Sequence, residues 1–433
     1  MNSGKKQILH TETVLLIKRV KREIITMICM NSLRTKSRTV SADQQFRRIR
    51  TIFCFTGKGR RSEMAKKVIS AGHVCLDVTP VFPQGHPYGN IADILVPGKL
   101  VQMEPASVSS GGSVSNTGLA LKLLGNDVTL MGKVGDDDLG AMLARIFARY
   151  DAGGLIIDKE SATSYSVVLA IPGLDWMFLH CPGANNSFSN ADIPDGPLED
   201  AVLFHFGYPT LMRKMYENDG KELADLFRRV KSKGIATSLD LTAVDPNSEA
   251  GRLDWTVILK NVLPYVDFFA PSFEEICFML DRTLYDRLSA ERADMTAFMD
   301  FEHEVKPLAD KLIALGCKTV LIKCGISGMY YRTASREVMA GTGERIGLDI
   351  EAWSEKEGIQ PCFRADIVRS GTGAGDTSIA AFLTAVLEGE QIEDCAAIAA
   401  AEGACCVTAF DALSGLKPIE EIKARIASGW ETV

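Results

Sequence analysis

The feature that most constrains the fold of this chain is an alternation of β-prone and helical segments between residues 201 and 270. Apolar β-prone runs lie at 201–206, 235–239 and 268–270, and segments with helical spacing lie near 220–232 and 254–263. Strands that alternate with helices are typical of a parallel sheet with helices on both faces. The sequence therefore predicts an α/β fold with a doubly wound, mainly parallel sheet.

Two segments do not follow this alternation. Prolines and glycines interrupt the chain from Pro80 to Met103, and two short β-prone runs, 164–170 and 176–180, flank Pro172-Gly173 as in a hairpin. Neither segment has the periodicity of a crossover helix. We expect them to form a small sheet, a lid, over one end of the main sheet.

A glycine-rich stretch near the C-terminus, Ser370 to Thr377, reads Ser-Gly-Thr-Gly-Ala-Gly-Asp-Thr and runs into an apolar helix. Glycines at such a turn let backbone amides approach an anion, and the positive end of the helix faces the same place. We therefore expect Gly373, Ala374 and Gly375 to bind a phosphate group. No Lys follows as in a P-loop, and Asp376 stands where a dinucleotide fingerprint needs glycine.

Asp376 has two interpretations. It can cap the helix, which is common for an Asp at this position. It can also act as a base that takes a proton from a hydroxyl while the amides stabilise the charge on a transferring phosphoryl group.

Two earlier places offer groups for a hydroxylated ligand. Asp77 follows the β-prone run from Val68 to Cys75, and ligands of α/β sheets gather at the carboxyl ends of strands. Gly111 and Gly112 open a second helix, and Asn116 lies one turn past Gly112 on the same face. Neither place needs a ligand to explain it: Asp77 can simply begin a turn, and the second stretch can simply be a capped helix start.

Two later places also follow strands. Glu275 lies at a helix start after the strand that ends near Ala270, which suits either a cap or a role in holding magnesium through water. The strand from Thr319 to Lys323 runs into Gly325 to Gly328, where a flat nucleotide could approach the backbone. A hairpin turn explains these glycines equally well.

The charge of the chain is unevenly divided. Residues 1 to 63 carry 15 Lys and Arg against four Asp and Glu, whereas the remainder carries 33 against 51. The acidic remainder is not suited to binding nucleic acid. The basic leader is compatible with a transit peptide, a nucleic-acid arm or a membrane-surface helix, but charges interrupt its apolar run from Val14 to Met30. We expect translation from Met64, or a disordered leader, and exclude residues 1 to 63 from the fold.

The eleven cysteines form no Cys-x-x-Cys pair and no Cys/His cluster. This pattern favours free thiols, a cytoplasmic location and the absence of zinc. The sequence also lacks His-Glu-x-x-His and Gly-x-Ser-x-Gly, so that metalloprotease and serine-hydrolase activities have no support.

Taken together, the Gly-Ala-Gly-Asp stretch and the three earlier motifs resemble, in their order, the PfkB/ribokinase family of carbohydrate kinases. The resemblance covers residues 66 to 428 and implies a ribokinase-like kinase domain at 64–433, with lid segments at about 78–106 and 160–182. It implies Asp376 as base, Gly373 to Gly375 as anion hole, and a sugar site at Asp77, Gly111, Gly112 and Asn116. It also implies ATP contacts at Lys323, Gly325, Gly328 and Thr372, and magnesium bound through water at Glu275.

The sequence departs from the family pattern at two places. Ser272 replaces the Asn of the family's Asn-x-x-Glu motif. Ser370 and Gly371 stand where many relatives have an Asp that helps to hold potassium, so potassium activation is not predicted. The expected cofactors are ATP and Mg²⁺.

These observations predict an ATP-dependent kinase that phosphorylates a primary hydroxyl of a sugar or a similar molecule. Two alternatives remain: a nucleoside kinase of the same family, and a catalytically silent sugar-binding regulator on the same scaffold. We expect no nucleic-acid or membrane partner, and the open edges of the lid sheet allow pairing with a second copy. The acceptor itself is not predicted from the sequence.

Overall fold

The computed structural model describes residues 66–83, 90–172, 176–292, 294–297 and 299–433. The basic leader, residues 1 to 63, lies outside these described residues. In chain order the strands of the described residues are β1 (Lys67–Gly72), β2 (Cys75–Val81), β3 (Glu104–Gly111), β4 (Asp127–Gly135), β5 (Leu155–Asp158), β6 (Tyr165–Leu169), β7 (Met177–Cys181), β8 (Ala201–Gly207), β9 (Ala236–Asp240), β10 (Phe268–Phe269), β11 (Thr319–Lys323), β12 (Met329–Thr333) and β13 (Glu357–Gln360).

The α-helices of the same residues are α1 (Ser113–Leu123), α2 (Asp138–Ala148), α3 (Asp195–Leu198), α4 (Arg213–Lys231), α5 (Trp255–Val262), α6 (Phe273–Leu280), α7 (Arg282–Glu291), α8 (Lys306–Ala314), α9 (Arg336–Met339), α10 (Ile350–Trp353), α11 (Ala374–Glu388), α12 (Ile392–Cys406) and α13 (Ile419–Ala427). Among the described residues, no helix is both long enough and apolar enough to span a membrane.

The large sheet has nine strands in the order β13-β12-β11-β10-β9-β8-β1-β4-β5. Its strands pair in parallel from β11 through to β5, and β12 and β13 form an antiparallel edge. The first strand therefore lies inside the sheet, and strands are added on both sides of it. This is the doubly wound, mainly parallel sheet that the sequence predicts.

Helices cover both faces of this sheet, as the alternation of side chains along β1 shows. Ser70 faces Gly118 of α1, whereas Ile69 and Ala71 join the large apolar cluster that contains Leu223 and Phe227 of α4. Neighbouring side chains of a strand point to opposite faces. The two sets of helices therefore lie on opposite sides of the sheet, as expected.

The first strand is shorter than predicted, because it ends at Gly72 instead of Cys75. Gly72 has φ 127°, and a Cβ there would lie only 2.4 Å from the backbone oxygen of Gly207. This close approach ends β1 and sends the chain into the second sheet. Asp77 consequently lies within β2, not at the carboxyl end of a strand of the large sheet.

The smaller sheet has four strands in the order β3-β2-β6-β7, and we call it the lid sheet. The predicted hairpin is confirmed as β6 and β7, which pair antiparallel. The strand β3 was not predicted, and the lid strands start at Cys75 and extend to Gly111, beyond the expected limits. A small apolar cluster of Phe82, Ile94 and Ile171 packs beside this sheet.

Residues 334–365, which lack a clear periodicity, form short elements that end in β13. Trp353 is 1% exposed and packs edge-on against Phe268 of β10 and Phe382 of α11. A long segment without regular spacing thus supplies one large side chain to the core. This contact fixes α11 to the sheet.

Candidate active site

The glycine loop leads directly into α11, whose N-cap is Gly373. Gly373 has φ 78°, and a Cβ there would lie 2.2 Å from the Cβ of Ala412. The left-handed backbone and the close contact both require glycine. The first turn of α11 therefore presents its amides and its positive end beside Asp376.

Asp376 is 4% exposed and lies in the first turn of α11, but its side chain does not cap the helix. Its Oδ2 accepts a hydrogen bond from Nδ2 of Asn116 at 3.0 Å, and its Oδ1 accepts one from Oγ1 of Thr117 at 3.1 Å. Both donors belong to α1, which packs against α11. The carboxylate is held by side chains from a distant part of the chain, and the capping interpretation does not describe it.

Tyr208 is a third donor to Asp376, which sequence reasoning missed. Its Oη lies 2.8 Å from both carboxylate oxygens. Tyr208 directly follows β8 and has left-handed backbone angles, φ 64° and ψ 42°. Burial, together with the negative charge of Asp376, raises the pKa of Tyr208 well above its ordinary value, so the phenol keeps its proton and donates.

Lys323 lies at the same place. Its Nζ donates to Oδ1 of Asp240 at 2.8 Å and lies 3.4 Å from the position that a Cβ of Gly375 would occupy. Burial alone would lower the pKa of Lys323, but the carboxylates of Asp240, Glu275 and Asp376 together raise it. A protonated ammonium therefore faces the glycine loop.

Asp240, the last residue of β9, was also missed by sequence reasoning. It is 1% exposed, and burial raises its pKa, assisted by the charges of Glu275 and Asp376. Three carboxyl groups, those of Asp240, Glu275 and Asp376, thus act on the ammonium of Lys323, and Asp240 is hydrogen bonded to it. The sequence did contain a signal for Asp240: like Tyr208, it lies at the carboxyl end of a predicted strand, where ligands of α/β sheets bind.

Glu275 forms a capping box with Ser272 at the start of α6. The amide of Ser272 donates to Oε2 of Glu275 at 2.8 Å, and the amide of Glu275 donates to Oγ of Ser272 at 3.3 Å. This is the capping role that the sequence left open. Glu275 nevertheless lies close enough to influence Lys323, Asp240 and Tyr208, so both roles remain compatible with its position.

The predicted nucleotide turn is a tight connection between β11 and β12. Gly325 has φ 52° and lies against Thr296, whereas Gly328 has φ 100° and lies against the backbone of Gln360. The amide of Thr372, on the glycine loop, donates to Oγ of Ser370 at 3.1 Å.

The predicted sugar residues fall into two groups. Asn116 contacts Asp376, and Gly112 lies against His73, with 2.6 Å between its would-be Cβ and Nδ1 of His73. Asp77 and Gly111 face each other on the lid strands β2 and β3, and a Cβ on Gly111 would lie 2.1 Å from Oδ2 of Asp77. Burial raises the pKa of Asp77 to about 6.

A chain of polar side chains connects these two groups. Ser166 of β6 hydrogen bonds with Asp77, and its Oγ lies 3.0 Å from Nδ1 of His180. Nε2 of His180 lies 3.3 Å from Nε2 of His73, whose ring centroid is 6.0 Å from that of Tyr208. Burial lowers the pKa of both histidines, so both are neutral at pH 7. No local sequence signal indicates this chain, because its members come from both sheets.

Comparison with known proteins gives consistent results. A sequence model described as pfkB family carbohydrate kinase matches residues 68–418. Fructokinase-2 of Zea mays is 24% identical over 331 residues, which are 73% of this chain and 85% of the relative. Among solved structures, Arabidopsis thaliana ribokinase, complexed with ribose and ATP, has a TM-score of 0.60 at 19% identity over 83% of this chain and 98% of its own. A fructokinase with bound ATP from Xylella fastidiosa has a TM-score of 0.60 at 19% identity, over 84% of this chain and 99% of its own.

The fold and the extent of these matches define a carbohydrate kinase of ribokinase-like fold. This chain belongs to the pfkB family of carbohydrate kinases. These findings confirm the predicted family and fold class. They also confirm the predicted class of enzyme, a phosphotransferase whose acceptor is a hydroxyl group of a sugar.

Proposed function

We propose that this chain transfers the γ-phosphoryl group of ATP to a primary hydroxyl of a sugar or a sugar-like molecule. The observation that carries the proposal is the buried carboxylate of Asp376, held by three side-chain donors at the positive end of α11. The names of the relatives support it, since they include a fructokinase and an ATP-bound ribokinase.

In the proposed mechanism Asp376 takes the proton of the acceptor hydroxyl, and the acceptor oxygen attacks the γ-phosphorus. The amides around Gly373, Ala374 and Gly375 form the anion hole, where charge on the transferring group is stabilised by fixed dipoles. The ammonium of Lys323 lies beside this loop and adds positive charge there. The bond from the γ-phosphorus to ADP breaks, and ADP leaves with the electron pair.

The acceptor site is proposed at the junction of the lid sheet and α1. Asp77, with Gly111 beside it, offers a carboxylate to sugar hydroxyls, and Gly112 and Asn116 lie at the other end of the histidine chain. Asn116 also supports the base directly, which is a role beyond sugar binding. For ATP we propose contacts at Lys323, Gly325, Gly328 and Thr372.

Magnesium fits the charge of this site. The carboxyl groups of Glu275 and Asp376 both act on Lys323 and Asp240, so they lie near the place proposed for the phosphates and could attract a cation there. Among the described residues, no group of three or more His, Cys, Asp or Glu side chains could hold a metal ion. Magnesium is commonly bound by one or two carboxylates, waters and substrate phosphates. Bound magnesium would neutralise phosphate charge, with Glu275 as the proposed residue that holds it through water.

A homodimer through the lid sheet is also proposed. Phe178 and Leu179 of β7 are 55% and 59% exposed, and β3 and β7 are the two edges of this sheet. Exposed apolar groups beside a strand edge favour pairing with another copy. We expect Phe178→Asp to shift the chain from dimer to monomer in sedimentation equilibrium, and a wild-type chain that is monomeric would contradict the proposal.

The free thiols of the described residues support a reducing compartment, and we propose the cytoplasm.

The function is tested by assaying ADP formation with Mg-ATP and a panel of sugars, sugar phosphates and nucleosides. We expect one sugar or sugar-like compound to raise ADP formation well above the level without acceptor. A nucleoside as best acceptor would favour the nucleoside-kinase alternative. An absence of transfer to every acceptor, in a chain that still binds sugar, would favour the silent regulator. Asp376→Asn is the matched negative control.

A further inference from the structure

Three side chains of this chain donate to Asp376, and one of them, Tyr208, approaches both carboxylate oxygens at once. A carboxylate offers about four acceptor positions. Asn116 and Thr117 each occupy one position, and the Tyr208 hydroxyl lies 2.8 Å from both oxygens. The single O–H of Tyr208 thus lies between the two oxygens. A sugar hydroxyl can approach the carboxylate from that same side only if Tyr208 moves away.

The three donors differ in their freedom to move. Asn116 and Thr117 belong to α1, which packs against α11, and Thr117 is fully buried. Tyr208 is half-buried, as is Asn116, but it does not belong to α1: it lies at the carboxyl edge of the large sheet in a left-handed turn between β8 and Pro209. Left-handed backbone is unfavourable for a residue other than glycine and persists only where the surroundings require it. Tyr208 is therefore the one of these three donors whose position does not depend on the packing of α1 against α11.

The Tyr208 hydroxyl is also chemically similar to the group that must replace it. It is an O–H that donates to the carboxylate from between the two oxygens, as an acceptor alcohol would. Its raised pKa means that it does not give up its proton to Asp376. The Tyr208 hydroxyl is therefore hydrogen bonded to Asp376 without transferring its proton.

We infer that Tyr208 is a placeholder for the acceptor hydroxyl: it covers Asp376 while no acceptor is bound, keeps water from the base, and moves aside when the acceptor enters. This inference rests on the proposed function of Asp376 as the base. Water held at Asp376 in the same position would attack ATP, and the products would be ADP and phosphate. Tyr208 thereby limits ATP hydrolysis in the absence of sugar.

The test is phosphate release from Mg-ATP without any sugar. We expect Tyr208→Phe, which keeps the ring and removes the hydroxyl, to raise this hydrolysis about tenfold. That factor is the size of effect expected when one hydrogen bond to a charged group is lost. Tyr265→Phe is the matched control, since it also removes a phenol hydroxyl with a partner, Arg228, but neither residue belongs to the proposed site, and its rate should equal that of the wild type.

Hydrolysis that needs the base must disappear when the base is removed. We expect Tyr208→Phe combined with Asp376→Asn to release phosphate no faster than Asp376→Asn alone. Tyr208→Leu, which removes the ring as well, carries the same expectation if the Phe variant is recovered in poor yield. Unchanged hydrolysis in the Tyr208 variants overturns the inference, and so does a fall in kcat without a rise in hydrolysis, which would make Tyr208 a positioning residue. The hydrolysis assay contains no sugar, so its result does not depend on knowing the acceptor. The proposed function is tested separately by the acceptor panel, and a wild type that transfers phosphate to no acceptor would disprove it.

Discussion

At the scale of single residues, the role of Asp376 is set by its partners. Asp is common in the first turn of a helix, where it needs only the helix amides. Here the carboxylate is directed to Asn116, Thr117 and Tyr208 instead. Three donors aimed at one carboxylate fix its orientation, which is what the proposed base requires.

The first prediction concerns Asp376→Asn. This change removes the charge and the basic lone pair, and general-base steps contribute about 10²–10⁴-fold, so kcat should fall by that factor. The hydroxyls of Thr117 and Tyr208 can rotate to accept from the new amide, so the midpoint of thermal unfolding should change little. Asp376→Ala leaves three donors without an acceptor and should unfold at a lower temperature. An Asn variant with full kcat would disprove the base.

The second prediction concerns Asp77, whose pKa burial raises to about 6. A carboxylate that accepts from sugar hydroxyls must be charged, so the KM for the sugar should rise as the pH falls below about 6, where Asp77 takes up a proton. Asp77→Asn should have a high sugar KM that no longer depends on pH in this range, while the KM for ATP stays near wild type. Equal changes in both KM values would place Asp77 outside the acceptor site.

The residues of this site differ in how far the sequence could predict them. Asp376 and its glycine loop form one continuous motif and were found. The sequence did not indicate that Asn116 and Tyr208 would meet this carboxylate, because they lie 260 and 168 residues from it along the chain. Such contacts depend on the register of α1 against α11 and on the turn after β8, and local spacing contains neither.

At the scale of elements, α6 combines a structural and a proposed functional role. The capping box of Ser272 and Glu275 starts this helix directly after the strand end, and it orients the carboxylate of Glu275. A capping box works with either Glu or Gln at its third helical position. The two roles of Glu275 can therefore be separated by mutation.

The third prediction uses this difference. Glu275→Gln should keep the thermal midpoint near wild type, because Gln preserves the capping box, but it should raise the magnesium concentration needed for half-maximal rate. Ser272→Ala should do the reverse: it should cost about 1 kcal/mol of stability as a lost cap and leave the magnesium dependence unchanged. If Glu275→Gln has a normal magnesium dependence, its role is structural alone.

The elements with regular spacing were predicted well, and those without it were not. The strands and helices from Ala201 to Phe269 alternate clearly in the sequence, and most of them lie within a few residues of their predicted bounds. The exception is α4, which begins at Arg213, seven residues before the predicted start, and has a non-helical break from Glu217 to Gly220. The strand β3 was missed because its sequence, Glu-Pro-Ala-Ser-Val-Ser-Ser-Gly, shows no regular apolar alternation. It forms through pairing with β2, for example Val108 with Val78. Pairing of this kind depends on distant residues and leaves little trace in local spacing.

At the scale of the whole molecule, residues 1 to 63 differ from the remainder in charge, and their contribution to the enzyme can be tested. The described fold begins at Lys66, whose Nζ donates to the backbone oxygens of Ile346 and Leu387. The proposed site uses only residues from His73 onward. We therefore predict that a chain starting at Met64 has the same kcat/KM and thermal midpoint as the full chain. A loss of either in the shortened chain would show that residues 1 to 63 contribute to the enzyme.

The separation of 260 residues between Asn116 and Asp376 also decides when the two can meet during synthesis of the chain. Chains emerge from the ribosome at roughly 5–20 residues per second, so Asp376 follows Asn116 by about 10 to 50 s. During that interval the proposed acceptor side, with Asp77 and the lid strands, already exists as polypeptide, whereas the proposed base does not. Under the proposed mechanism, transfer of a phosphoryl group can begin only when α11 has docked on α1. A truncated product that ends before residue 376 would lack the proposed base.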